Sequence, residues 1–507
     1  MNGFATASLK NSINLWWIEH RAAGLMLVYV ATLAVLVIPM LIVDVPLGVD
    51  NLNHLARIYV RAHIDTDPNL ARLFEVRSPL IPYLGMDLLL TPLARVVPIM
   101  VVGRLYILGL VWGLVGAVVV LQRVFTGRVG LGPAATGLIA YNGLIAWGLI
   151  NYMLGVILAL LVFAAWHALR TRPWLVRLIV FCTASTVLYL THLLAFGLYG
   201  ILVVSYEVFG LTQPWRTPLW DWLVLVGQAI PGLLIWSALS NTTLTGDLGT
   251  YYEPARKLIA LLLPVLFHGA AGGWDSGLLS FVFCAAALFM AVRRGWLMWP
   301  RTLAAPVLVL LALTLILPFR SIGVALIDYR FSVAAACLAL AGLRLVSVHF
   351  IRVAPVAVTV ALLMVSHVAD VSVVMHRCDG QYAELREALA MLPRGVDLST
   401  VLERTEPVPD VACTRLPIYP HMAQLIIIDR SGYAADFFAR VTSVGVRGGR
   451  TTDTDPRLAS TFTSSTAEAR YVLWINLGRF RPIPPGLVLL RHGSFFDLWT
   501  VATASEG

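Results

Sequence analysis

Apolar residues in this chain come in long unbroken runs, and polar residues gather in the gaps between them. A run of about 17–25 apolar residues is long enough to cross a bilayer as a helix. Such runs fall near residues 23–43, 97–121, 131–150, 152–169, 174–190, 192–211, 221–239, 276–292, 302–318, 331–347 and 353–369. This predicts eleven spans. The first run has no small-residue cleavage site and is expected to stay as an anchor. Two other stretches fit less well. Residues 79–95 carry Pro79, Pro82, Pro92 and Asp87, and 258–269 is too short to cross. Both are expected to be re-entrant or interfacial helices, with an extra span at 79–95 as the alternative.

Beyond residue 370 the pattern becomes that of a soluble domain. Residues 382–392 have helical spacing closed by Pro393 and Gly395. Residues 425–429, 471–475, 487–490 and 495–501 read as strands, and 451–456 as a polar loop. The expected architecture is a polytopic α-helical membrane domain, 1–370, with a polar outer loop at 44–96, followed by an extracytoplasmic α/β domain, 371–507.

Composition narrows the function class. Of 507 residues, 59% are hydrophobic and 13% charged, with mean hydropathy +0.80. A soluble enzyme has about 25% charged residues, so soluble enzymes, disordered chains and nucleic-acid binders are set aside. The net charge of +9 does not imply nucleic acid, because of where it sits. Residues 1–370 hold 23 Lys and Arg against 14 Asp and Glu, and residues 371–507 hold 14 of each. With the N-terminus inside, the inner segments hold 13 bases and 3 acids, and the outer ones up to residue 370 hold 10 and 11. That is the positive-inside pattern. An odd span count then puts the C-terminal domain outside, periplasmic or extracellular. Trp16, Trp17, Trp174, Trp215, Trp220 and Trp222 fall at the expected inner interface, as an aromatic belt does. Only two lysines stand against 35 arginines, a bias that hints at a GC-rich bacterial genome. Cys378 and Cys413 are the cysteines of the exported domain; a disulfide and two free thiols both remain open.

The outer loop concentrates the chemistry. Asp50, His54, Arg57 and Arg61 are spaced i, i+4, i+7, i+11, which is one helix face, with Leu52, Leu55, Ile58, Tyr59 and Val60 beside it. An amphipathic helix on the outer membrane face is expected, its polar stripe opening on a carboxylate just past the first span. Spacing alone fits a solvated helix with ordinary ion pairs. Other polar residues fall at the same face, however: Asn151 and Tyr152, Thr191 and His192, then Tyr251, Tyr252, Glu253, Arg256, Lys257 and His268, and finally Arg320, Asp328, Tyr329 and Arg330. A site combining carboxylates and arginines there suits a phosphate-bearing ligand reached from the bilayer.

These features resemble the GT-C superfamily of polyprenyl-phosphate-sugar-dependent membrane glycosyltransferases. The resemblance rests on Val-Asp-Asn-Leu-Asn-His-Leu-Ala-Arg (49–57) after the first span and the proline-bearing Ser-Pro-Leu-Ile-Pro-Tyr-Leu (78–84). It rests also on Asn-Tyr-Met-Leu-Gly (151–155), Leu-Thr-His-Leu-Leu (190–194), Asp-Tyr-Arg-Phe (328–331), Tyr-Pro-His-Met-Ala (419–423) and Tyr-Val-Leu-Trp-Ile (471–475). Many members have two adjacent acidic residues in the first loop, whereas Asp50 here precedes Asn51. The resemblance implies inverting transfer of a sugar from a polyprenyl phosphate to a glycan, lipid or protein acceptor at the outer face of a bacterial cytoplasmic membrane. Asp50 would be the base, with His54 beside it. Arg330, with Arg320 or Lys257, would hold the leaving phosphate. Arg57, Asn151, His192, Tyr252, Glu253, His268 and Asp328 would complete the binding surface. A divalent metal is allowed by the sequence and not required by it. The alternatives are a transporter or flippase of a lipid-linked substrate, and a non-catalytic GT-C-like assembly partner. Against transport, no repeat relates the two halves and few charges fall at span centres.

Overall fold

The structure is a computed structural model that describes residues 21–77, 81–209, 219–239, 249–267, 276–321, 324–345, 350–402, 411–434, 443–447, 470–476 and 486–501. The chain is a multi-pass membrane protein. Among the described residues six helices are long and apolar enough to cross a membrane: Ala22–Leu41, Ile99–Thr126, Ile150–Ala168, Trp174–Thr191, Leu219–Ser237 and Ala354–Leu389. Shorter apolar helices, among them Leu193–Phe209 and Arg301–Ile316, fill the bundle. Large apolar side chains such as Leu105, Ile179, Leu234 and Leu362 stand exposed on its outside; lipid, unlike water, does not penalise them. Trp174 and Trp220 stack at 4.8 Å where two helices begin, in keeping with an interfacial belt. Trp16, Trp17 and Trp215 lie outside the described residues.

The expected continuous span at 131–150 is not a continuous helix. It is a 3-10 turn, Gly132–Thr136, and two single-turn helices, Gly137–Ala140 and Gly143–Ala146. Gly130, Gly132, Gly137, Gly143, Gly148 and Pro133 make an unbroken helix too costly. The segment climbs beside the first helix. Tyr29 donates to the Gly130 carbonyl (2.6 Å), Tyr141 to the Leu36 carbonyl (2.8 Å), and the Val49 N–H to the Ala146 carbonyl (3.0 Å). Irregular backbone inside a bundle is tolerated where protein partners satisfy it. The stretch at 79–95 does form a short helix, Leu84–Ala94, of interfacial rather than spanning length.

The charge boundary at residue 370 falls inside one helix, Phe350–Leu389, of 40 residues. That is about twice what the hydrocarbon layer needs, so the second half emerges and becomes part of the C-terminal domain. Cys378 on this helix is bonded to Cys413, with Cα atoms 5.1 Å apart. The domain carries a five-stranded mixed sheet in the order Leu487–His492, Phe496–Val501, Tyr471–Ile475, Asp397–Leu402, Tyr433–Ala434. The first three pair antiparallel and the last two join in parallel. Leu425–Arg430, expected as a strand, is a helix. Its run of Leu and Ile carries no alternation that separates the two states. Burial against the surface helix decided it. The polar loop at 451–456 lies outside the described residues.

The domain docks on the loop after the first span. Residues Phe74–Val76 pair with Val444–Val446. Asp379 accepts from the backbone N–H of Asp44 and Val45, Asp67 pairs with Arg394 at 2.8 Å, and Arg72 donates to the Gly395 carbonyl. The expected surface helix is present as Asn51–His63, but it does not present a polar stripe to water. Asn51, Asn53 and Arg57 are buried along with Leu52, Leu55 and Ile58, because the domain covers the face that the bundle does not.

Candidate active site

Asp50 is the residue at which the first loop turns into the surface helix. It stands at the N-cap, its side chain makes no cap hydrogen bond, and about a quarter of that side chain is exposed. Gly148 lets the broken segment come close to it. With φ +73°, a Cβ at Gly148 would stand 2.3 Å from the Asp50 backbone nitrogen. His54, one turn along the helix, is half-buried and hydrogen-bonds the Gly148 backbone. Burial, then the charges of Arg57 and His421, hold its pKa well below the usual value, so it is neutral at physiological pH.

Helices of the bundle bring further groups to the same place. Arg330 lies in the turn Asp328–Arg330 and is 6% exposed. Its guanidinium sits 5.0 Å from the Tyr152 ring centre and donates from Nη2 to the Ala325 carbonyl (3.3 Å). Its Nε and Nη1 find no hydrogen-bond partner among the described residues. Burial lowers its pKa, while the Asp50 carboxylate, among others, pulls it back up. His192 packs edge-on to Tyr83 and Tyr152, at 4.7 and 5.1 Å. Burial, Arg330 and His54 keep it neutral as well. The Leu194 N–H donates to its Nδ1 (3.1 Å), which leaves the proton on Nε2. Tyr83 holds a left-handed backbone, φ 97°, at a cost of about 1–2 kcal/mol. Asn151 ties these ends together: its oxygen accepts from the Met86 N–H, and its amide donates to the Thr191 and Tyr83 carbonyls.

The structure thus brings Asp50, His54, His192 and Arg330 together, with Asn151 behind them. Other expected site residues are paired elsewhere. Arg57 makes a buried double contact with Asp87, at 2.9 and 3.0 Å, and Asp87 also accepts from Ser443. Lys257 pairs with Asp328 at 2.6 Å over the Tyr252 ring, while Tyr252 donates to the Leu315 carbonyl. Glu253 pairs with Arg256 on the surface. Arg320 lies in a two-residue strand bridged to Tyr251. His268 lies outside the described residues. Asn51, next to Asp50, is buried and donates to the Leu47 carbonyl (2.9 Å), which an ionised carboxylate cannot do.

One group was missed. His421 of the C-terminal domain enters this site, its Nδ1 2.6 Å from Asn53 Nδ2 and its Nε2 3.6 Å from Asp50 Oδ1. The motif 419–423 drew attention, but nothing in its spacing ties it to a residue 368 positions earlier. An apolar groove of about 340 Å³ opens beside the helix that starts at Tyr83, lined by Leu89, Leu93, Leu105, Tyr106, Leu110 and Leu154 among others. Among the described residues no three His, Cys, Asp or Glu side chains form a metal-holding group.

No protein-family model matches the chain, and no curated protein matches it. Among solved structures, the crystal structure of ArnT from Cupriavidus metallidurans bound to undecaprenyl phosphate is similar, with TM-score 0.52 and 12% identity over 95% of this chain and 99% of that one. At that identity the likeness is one of fold alone.

Proposed function

We propose that this GT-C-type fold transfers a sugar from a polyprenyl phosphate to an acceptor hydroxyl at the outer face of a bacterial cytoplasmic membrane. The observation that carries the reading is the buried guanidinium of Arg330, with two nitrogens unpartnered among the described residues, set in the field of Asp50. A buried arginine with unused donors is costly unless a ligand supplies the anion. A phosphate does so with matching geometry. ArnT, similar in fold, holds undecaprenyl phosphate, and the apolar groove between the helices Leu84–Ala94 and Ile99–Thr126 suits an isoprenoid chain.

The chemistry follows from the charges. Asp50 takes the proton of the acceptor hydroxyl, whose oxygen attacks the anomeric carbon from the face opposite the phosphate. The bond from that carbon to the phosphate oxygen breaks, and the electron pair leaves with the polyprenyl phosphate. Arg330 stabilises the charge growing on that phosphate. His54 and His192, both neutral, offer hydrogen bonds without competing for the proton. The Lys257–Asp328 pair, two residues before Arg330, braces the turn that carries it.

The test is paired. Asp50→Asn should lower transfer by about 10²–10⁴-fold while leaving binding of undecaprenyl phosphate intact, as read by native mass spectrometry of the purified protein. Arg330→Ala should lose that binding. A strain carrying Asp50→Asn should show the lipid-linked glycan profile of the deletion strain. A wild-type profile there would overturn the assignment.

A further inference from the structure

We propose that His421, delivered by the C-terminal domain, is a positioning residue that holds the Asp50 carboxylate toward the acceptor, so that the site is complete only with that domain docked. The inference rests on the reading of Asp50 as base. Asn53, wholly buried on the surface helix, presents its amide NH2 to His421 Nδ1 at 2.6 Å. An NH2 group only donates, so Nδ1 accepts and the ring proton sits on Nε2. That nitrogen lies 3.6 Å from Asp50 Oδ1. The distance is too long for a hydrogen bond, but contacts of this kind tighten when substrate binds. The chain Asn53–His421–Asp50 therefore fixes a tautomer at one end and aims a carboxylate at the other.

The position of His421 is not an accident of a loose loop. The helix Tyr419–Met422 is anchored by Tyr419, whose hydroxyl accepts from the Cys413 N–H (2.9 Å) and donates to Gln381 (3.0 Å). Cys413 is bonded to Cys378 on the long helix. A continuous path thus runs from a membrane helix, through the disulfide and Tyr419, to the imidazole beside Asp50. The charged and titratable groups facing this pair are His54 and Arg57 on the surface helix, and Arg330 and His192 from the bundle. Arg57 and His192 act on this pair through His54, and Arg330 acts through Asp50.

A donor on a carboxylate lowers its pKa, and its removal raises it. Loss of His421 should therefore slow the chemical step and move the acid limb of the pH–rate profile upward. The experiment uses full-length protein in native membranes of the source organism, with endogenous donor and acceptor. Release of polyprenyl phosphate is followed by mass spectrometry from pH 5 to 9. His421→Ala should lose about 10–100-fold in rate, with the acid limb displaced to higher pH. His421→Gln, which can accept from Asn53 and donate to Asp50, should restore rate and limb towards wild type. If His421→Ala fails to accumulate, His421→Asn, too short to reach Asp50, decides the matter by the same displacement. A reduced rate with an unmoved acid limb means a merely structural role and overturns the inference. Unimpaired release by Asp50→Asn overturns instead the reading on which it rests.

Discussion

At Gly148 one hydrogen atom separates a working approach from a collision. The residue adopts φ +73°, and a methyl group there would meet the Asp50 nitrogen at 2.3 Å. Both partners are backbone, so neither can swing aside. Gly148→Ala should combine the left-handed penalty, about 1–2 kcal/mol, with displacement of the turn that carries Asp50. The expected outcome is a lowered Tm in detergent and a larger loss of transfer than of undecaprenyl phosphate binding, because Arg330 sits on another element. The Arg57–Asp87 pair makes the opposite kind of residue prediction. Its two side chains are 3% and 2% exposed. Removing one partner of a buried pair costs about 3–5 kcal/mol. Asp87→Ala should therefore show as poor accumulation and an earlier thermal transition, rather than as a selective kinetic defect.

Among the elements, the long helix Phe350–Leu389 and the surface helix Asn51–His63 carry the architecture. The first joins membrane and domain without a hinge, and the disulfide from Cys378 to Cys413 closes a loop of 35 residues on it. Loop-closure entropy puts the stabilisation at about 4 kcal/mol. Replacing both cysteines by serine should lower the Tm of the purified protein, and protease digestion should cut first near Cys413. Alkylation of the native protein followed by mass spectrometry should find Cys378 and Cys413 unlabelled until reductant is added. The surface helix was legible as a helix, since Asp50, His54, Arg57 and Arg61 share a face. Its environment was not legible. Period alone cannot say whether a polar face meets water or other parts of the protein, and here Asn53 and Arg57 are buried by partners 368 and 30 positions away. The broken segment 131–149 taught the converse. Its hydropathy suits a span, yet its glycines leave a path that the neighbouring helices must complete.

For the whole molecule, the charge asymmetry makes the strongest claim. Thirteen bases against three acids on one set of loops predict an outer location for the C-terminal domain and Asp50. A reporter that functions only in the cytoplasm, fused after Gly507, should be silent, while an export-dependent enzyme at the same position should be active. The reverse result would place the site inside and remove the basis for an outward-facing transferase. Under the proposed function a polyprenyl chain would stay in the bilayer while its phosphate meets Arg330.

The sequence alone determined the membrane class, most helix positions, the presence of a C-terminal domain and the polar residues worth watching, because each depends on composition and local period. It could not assign partners. Arg57, Lys257 and Arg330 are alike as letters, and only packing made two of them halves of buried ion pairs and left the third with donors unpartnered among the described residues. His421 reached Asp50, 371 positions earlier, through a domain docked on the loop after the first span. Contacts of that separation leave no trace in spacing. They follow from which surfaces can be buried together, and that is fixed only when the whole chain has folded.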